Sequence, residues 1–219
     1  MPSKKPNHLV NFPCMLPRIG NKYELSRQKR LLVIGESHYF PEDSKIHHDA
    51  EKWYNSHESF LTDIEKNWVW TEKIVTESKK SGFSNRAHSI YRNISKELNT
   101  RGLDYDCTWE AIEHCVYYNF FQRPAKTGLS LELENKDVEV SMEVFEWILN
   151  KQKPSIVLFT SALAGNCAKY TLERLRIPFR ITPHPGCVWW NRKAKKYGGQ
   201  TGREYFASFL DDNNWLSIP

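Results

Sequence analysis

The sequence predicts an α/β fold: three layers, α/β/α, around a central, mostly parallel four-stranded sheet. Two observations lead to this prediction. Short apolar runs such as residues 30–35 have the composition of strands that are buried on both faces. Longer amphipathic segments separate these runs, so strands alternate with helices and parallel pairing is favoured. A chain of 219 residues is long enough for one substantial core and requires no second domain.

The predicted strands are rich in branched or aromatic residues and end at turn-forming residues. They cover residues 30–35, 114–121, 154–159 and 179–182. The predicted helices carry an apolar stripe at helical spacing. They cover residues 84–98, 138–150, 162–175 and 202–211, with one or two further helices between 44 and 80.

The first 28 residues are expected to form an irregular arm, because four prolines in this stretch remove backbone donors. Residues 29–219 then form a single domain with a helical insertion at about 41–80.

Charge and cysteine content limit the classes of protein to which this chain can belong. The net charge of +5 suits a partner that carries phosphate, although many cytosolic enzymes are equally basic. Five widely spaced cysteines contain no Cys-x-x-Cys pair, which argues against a zinc site and a disulfide framework. The polar N-terminus lacks the apolar stretch of a signal peptide, and no run is long enough to span a membrane. We therefore expect a cytoplasmic monomer without membrane contact, metal or cofactor.

Polar residues follow the first predicted strand directly. Because ligands bind at the carboxyl ends of strands in open α/β sheets, this turn is a candidate site. Gly35 permits close approach of a ligand, Glu36 can act as a base or orient water, and His38 can donate a proton or hold a phosphate. A strand-ending turn with solvated Glu36 and His38 explains the same residues equally well.

Two further residues have side chains suited to a flat ring. Phe83 precedes a predicted helix and can stack on a base, although aromatic residues there are more often part of the core. Asn119 is an unusual residue in an aromatic strand, and its amide can match the neighbouring carbonyl and N–H of a pyrimidine edge. An Asn119 that only anchors a loop is an equally good explanation.

The last candidate segment follows the fourth strand. His184 lies between two prolines, which hold it rigidly. Trp189 and Trp190 can wedge into or stack on a nucleic acid whose phosphates meet Arg192 and Lys193. The alternative is that one tryptophan belongs to the core and the cations form a solvated face.

Taken in order, these motifs resemble those of the uracil-DNA glycosylase superfamily. Residues 35–39, Gly-Glu-Ser-His-Tyr, stand where that family has Gly-Gln-Asp-Pro-Tyr or Gly-Glu-Ala-Pro-Gly. An aromatic residue before a helix is matched by Phe83, and a strand Asn by Asn119. A Pro-x-hydrophobic strand that ends in a small-residue turn and a helix is matched by residues 154–168, and a final His-Pro-Ser motif by residues 184–186. The likeness covers about residues 29–210, and five short motifs in the right order are more specific than any one of them.

The resemblance implies hydrolysis of the N-glycosidic bond of uracil or another damaged base in DNA. Glu36, Ser37, His38 and His184 would be catalytic, whereas Tyr39, Phe83 and Asn119 would bind the base. Ser37 replaces the Asp with which one branch activates water, so catalysis would depend on Glu36, with His38 next. The family's iron–sulfur cysteines have no counterparts.

Two other functions compete with this one. The same fold could bind nucleic acid or a nucleobase without catalysis. Alternatively, Cys187 and His184 could act as nucleophile and base in an unrelated hydrolase, although two turn-forming residues separate them.

Overall fold

The central sheet contains all of the strands that the sequence predicts, together with one that it does not. A computed structural model describes residues 4–216 of the chain. Within this range the strands are β1 Arg18–Ile19, β2 Leu31–Gly35, β3 Tyr39–Phe40, β4 Cys115–Asn119, β5 Ala125–Lys126, β6 Ile156–Phe159 and β7 Phe179–Ile181. The sheet order is β1-β4-β2-β6-β7, and β3 pairs with β5 in a separate two-stranded sheet.

The main sheet is mostly parallel, as predicted, but it has five strands instead of four. Strands β4, β2, β6 and β7 are parallel, and β1 adds to the edge in the antiparallel direction. Long-range contacts hold β1: Arg18 donates to Glu113 at 2.6 Å, and a Cβ on Gly20 would lie 2.2 Å from the Glu113 carbonyl oxygen. Such contacts leave no apolar pattern in the sequence, so β1 was missed.

The described part of the N-terminal arm packs against the domain, and it is not irregular throughout as predicted, because it contains a short helix, a 3-10 turn and strand β1. Helix α1 covers Asn7–Asn11, Phe12 has 0% exposure, and its ring stacks on Trp53 at 4.6 Å between centroids. Pro6 lies at the position just before α1, and Pro13 begins a 3-10 turn. Proline is tolerated at helix starts, where it interrupts no hydrogen bond. Residues 1–3 of the arm lie outside the described residues.

Most helices match their predicted positions. The insertion contains three helices rather than one or two: α2 Ala50–Tyr54, α3 Asp63–Val69 and α4 Thr71–Lys80. The remaining helices are α5 Ser89–Asn99, α6 Asn135–Gln152, α7 Ala162–Leu175 and α8 Gly202–Asp212. Helix α5 begins later than predicted, because a 3-10 turn at Arg86–His88 precedes it.

Helices cover both faces of the sheet and give the predicted three layers. Leu32 and Ile34 point into a cluster shared with α1, α2, α6 and α7, whereas Leu31 and Val33 point into one shared with α5 and α8. This alternation follows from the two-residue period of a strand. No helix within residues 4–216 combines the length and the apolar character needed to cross a bilayer.

Candidate active site

The carboxyl ends of β2, β4 and β7 bring three predicted site residues to one edge of the sheet. Gly35 pairs with Asn119 in the register of β2 and β4. Glu36 follows β2 directly, and its carboxylate acts electrostatically on the His184 ring beyond β7. Glu36, Asn119 and His184 therefore form the candidate site.

The Asn119 amide lies beside Gly35, in space that only a glycine leaves open. A Cβ at position 35 would lie 2.1 Å from Asn119 Oδ1 and 2.3 Å from the Tyr117 hydroxyl oxygen. The Tyr117 hydroxyl donates to Asn119 Oδ1 at 3.2 Å, and Asn119 is only 8% exposed. An amide has a second acceptor lone pair and two N–H donors. Tyr117 thus orients the Asn119 amide without exhausting its hydrogen-bonding capacity.

The Glu36 carboxylate is held by a residue that sequence reasoning missed. The Ser161 hydroxyl donates to Glu36 Oε2 at 2.6 Å and accepts from the Ala164 amide at 3.2 Å, which makes it the cap of α7. The start of a helix favours negative charge nearby. The signal was a serine between a strand and a helix, the ordinary position of an N-cap.

The His184 ring has a defined tautomer. The Gly186 amide donates to His184 Nδ1 at 3.0 Å, so in the neutral ring Nε2 carries the hydrogen and is a donor. Loss of hydration lowers the pKa of His184, and the Glu36 carboxylate opposes this shift. Because Nδ1 is occupied by the Gly186 amide rather than by the Cys187 thiol, the geometry argues against a Cys187–His184 pair.

Helix α5 supports the loop that carries His184. Asn93 donates from its side chain to the Pro185 carbonyl oxygen at 2.7 Å. A Cβ on Gly186 would lie 3.2 Å from both His184 Nδ1 and Ser89 Oγ. The loop is therefore closely packed on the first two turns of α5.

His38 does not reach this site, which corrects its assignment as a catalytic residue. Its ring is 7% exposed, and Nε2 lies 3.2 Å from the Thr71 hydroxyl. Successive side chains leave an extended segment on opposite sides, so His38 points under the insertion while its neighbours face outward. Burial lowers the pKa of His38 to about 4, and a hydrogen bond with the Trp68 backbone opposes this shift.

Phe83 and Trp190 are core residues, so they present no ring to a ligand in this structure. Phe83 has 0% exposure and lies 6.2 Å from Tyr91 between ring centroids, in the layer beneath α5. Trp190 is 2% exposed and packs against Phe206 at 5.6 Å. For both, the alternative of an aromatic core residue is the correct one.

The other predicted contacts are accessible. Tyr39 is 43% exposed and Trp189 is 45% exposed, whereas Ser37 is half-buried. Burial and the Glu36 carboxylate raise the pKa of Tyr39. Arg192 and Lys193 are exposed in the loop that follows Trp189.

The buried His38 ring predicts a loss of stability in acid. Its pKa is about 4 in the folded state against 6.5 as the ordinary value, so the unfolded chain binds the proton more tightly. Stability that is present above pH 6.5 is therefore lost as the pH falls toward about 4, by at most about 3 kcal/mol from this ring. His38→Gln keeps a partner for Thr71 and does not titrate, so it should reduce this loss in unfolding measured against pH.

The wild-type protein is the reference for the acid experiment. Equal curves of stability against pH for His38→Gln and the wild type would show that His38 does not contribute. His8, His47 and His114 also have pKa values lowered chiefly by burial, to between about 3 and about 4, so part of the acid loss should remain in His38→Gln.

Comparisons add no family to this picture. No protein-family model matches the chain, and no curated protein matches it significantly. Among residues 4–216, no cluster of three or more His, Cys, Asp or Glu side chains could hold a metal ion.

Proposed function

We propose that this protein is a uracil-DNA glycosylase-like enzyme that hydrolyses the N-glycosidic bond of uracil or another damaged base in DNA. One observation carries the proposal: a neutral His184 with its donor on Nε2 shares a sheet edge with the Glu36 carboxylate and the Asn119 amide. His184 supplies a hydrogen-bond donor for the leaving nucleobase, and Glu36 supplies a general base. Asn119 supplies an amide that can recognise a pyrimidine edge.

Asn119 would select the base. Its amide offers an acceptor and donors to the adjacent N–H and carbonyl of uracil, and Tyr117 fixes its orientation. Gly35 leaves the space that the amide occupies. A fixed amide discriminates between bases because a mismatched edge leaves buried polar groups unpaired.

Glu36 and His184 would perform the hydrolysis. As the bond from C1′ to the base nitrogen breaks, its electron pair leaves with the base, and the sugar becomes positively charged. His184 Nε2–H donates to the base oxygen on which negative charge develops. Glu36 orients a water and accepts its proton while the water oxygen bonds to C1′. The proton taken up by Glu36 then passes through solvent to the base anion, which restores the Glu36 carboxylate and leaves free base and abasic sugar.

The surface beyond His184 suits a DNA strand. Trp189 is exposed beside Arg192 and Lys193, so an aromatic wedge is followed by cations that can meet phosphates. Moving a nucleotide out of the stack costs a few kcal/mol, which these contacts would offset. The buried Trp190 would instead anchor this loop to the hydrophobic core.

The test is the release of free uracil from single-stranded or mismatched DNA. Wild-type protein should release uracil and leave abasic sites, and Glu36→Gln should slow release by about 10²-fold or more. Glu143→Gln, an equal charge change at an exposed position on α6, should not slow it. Failure of the folded protein to release uracil from any of these substrates would refute the proposal.

A binding module of the same fold is the second candidate, favoured by Ser37 in place of a water-activating Asp. It predicts salt-dependent affinity for uracil-containing DNA that Asn119→Ala weakens, with no abasic product. The release experiment separates the two candidates.

A further inference from the structure

A groove lies along the small sheet of β3 and β5. It has a volume of about 310 Å³, and its lining includes His47, His48, Lys126 and Leu131. Tyr39 pairs with Ala125 and Phe40 with Lys126 in parallel register. Ala125 and Lys126 line the groove, and their partners Tyr39 and Phe40 follow Glu36 closely along the chain, so β3 links the groove to the candidate site.

His47 is the unusual residue of this groove. It is 2% exposed, and neither ring nitrogen has a hydrogen-bond partner within residues 4–216. A buried polar group without a partner costs free energy in the folded state. His8 also lacks partners, but it packs among Phe12, Trp53 and Tyr54 and lines none of the described grooves. His47 differs because it is one of the residues that line the groove.

The charges around His47 favour an anion. The pKa of His47 is lowered to about 4, chiefly by burial and also by the charges of His48, Arg123 and Lys126, while Glu65 opposes the shift. The ring is therefore neutral near pH 7, has one N–H donor, and lies in a positive field. Two acidic residues also line the groove. Glu134 forms an ion pair with Arg123 at 3.3 Å and caps α6, and the side chain of Glu132 is exposed to solvent.

We propose that this groove binds a phosphate group, with the Lys126 ammonium as the counter-charge and an N–H of neutral His47 as a donor. That the phosphate belongs to the nucleic-acid strand next to the excised base rests on the proposed function. The exposed Lys126 supplies the cation, since the Arg123 guanidinium already donates to Asp137, His47 and Glu132.

The first experiment measures affinity for a single-stranded oligonucleotide containing one uracil, by fluorescence anisotropy over a range of salt concentrations. Lys126→Gln should weaken binding about five- to tenfold at low salt and reduce the salt slope by about 1. Lys151→Gln removes the same charge from an exposed position at the end of α6 and should change neither. Equal behaviour of the two variants would overturn the proposal.

The second experiment uses inorganic phosphate as the probe and thermal unfolding as the readout. Phosphate should raise the Tm of wild-type protein, and this rise should be absent in His47→Phe, which keeps the ring but removes its nitrogens. Without phosphate, His47→Phe should be at least as stable as wild type, because it removes two unpaired buried atoms. An unchanged phosphate response in His47→Phe would contradict the assigned donor.

The source of the phosphate is tested with oligonucleotides that carry one neutral methylphosphonate next to the uracil. At one methylphosphonate position, wild type and Lys126→Gln should bind the oligonucleotide with equal affinity, because the phosphate charge that Lys126 would neutralise is absent there. If inorganic phosphate binds but no methylphosphonate position has this effect, the strand is not the source. Phosphate binding without uracil release would refute the proposed function alone, and uracil release with Lys126→Gln equal to Lys151→Gln would refute this inference alone.

Discussion

Replacing His184 with alanine is expected to lower the rate of uracil release about 10²- to 10³-fold. The variant loses the Nε2–H donor that faces the charge developing on the departing base, and the Gly186 amide loses its acceptor. Affinity for the intact strand should change little, since the donor acts mainly on the leaving group. Single-turnover rates of excision, measured beside the Kd for a non-cleaved oligonucleotide, separate the two effects.

The exposed His57 provides a control, because His57→Ala removes an imidazole from the insertion rather than from the site. It should excise uracil at the wild-type rate. A His184→Ala variant that is folded and excises uracil as fast as His57→Ala would remove His184 from the mechanism. Loss of affinity without loss of rate would make His184 a binding residue only.

Replacing Asp137 with alanine is expected to cost about 3–5 kcal/mol in the free energy of unfolding. Asp137 is 0% exposed and pairs with Arg123 through both oxygens, at 2.8 and 2.6 Å. It also accepts from the Tyr54 hydroxyl at 2.9 Å and from the Glu134 amide at 2.9 Å. The variant leaves the buried Arg123 cation without its main partner, and an unpaired buried charge strongly destabilises the folded state. Urea denaturation measures the change.

Helix α6 also supplies the control for Asp137. Glu139 pairs with Lys136 in an exposed geometry at 3.1 Å, so Glu139→Ala should cost no more than about 1 kcal/mol. The double variant Arg123→Met with Asp137→Leu should be less destabilised than Asp137→Ala, because it leaves no unpaired charge. A loss for Asp137→Ala similar to that for Glu139→Ala would contradict this account.

Local sequence pattern was sufficient to predict many of the strands and helices. Strands β2 and β6 are apolar on both faces, which only a sheet between two layers accommodates. Helix α7 begins and ends at the predicted residues because a serine cap precedes it and a left-handed Arg176 ends it. Strand β1 was not predictable in this way, since its two residues are held by partners about a hundred positions away.

The candidate site also contains residues that local sequence pattern predicts and residues that depend on tertiary contacts. Glu36, Asn119 and His184 were predictable because each follows or ends a strand, and parallel strands finish at one edge. His38, Phe83 and Trp190 were assigned to the site wrongly, since tertiary packing decides which way a side chain near a turn points. Ser161 and Tyr117 were missed because their roles are contacts to other site residues.

The proposed function requires Asn119 and His184 to contact one flat base at the edge of the sheet. Titration of free uracil into isotope-labelled protein, followed by NMR of the Asn119 side-chain amide and the His184 ring nitrogens, tests it most directly. We expect both sets of signals to shift with one Kd, while the ring signals of the buried His38 stay in place. Saturating uracil that leaves the Asn119 and His184 signals unmoved, or shifts only one of them, would contradict the account.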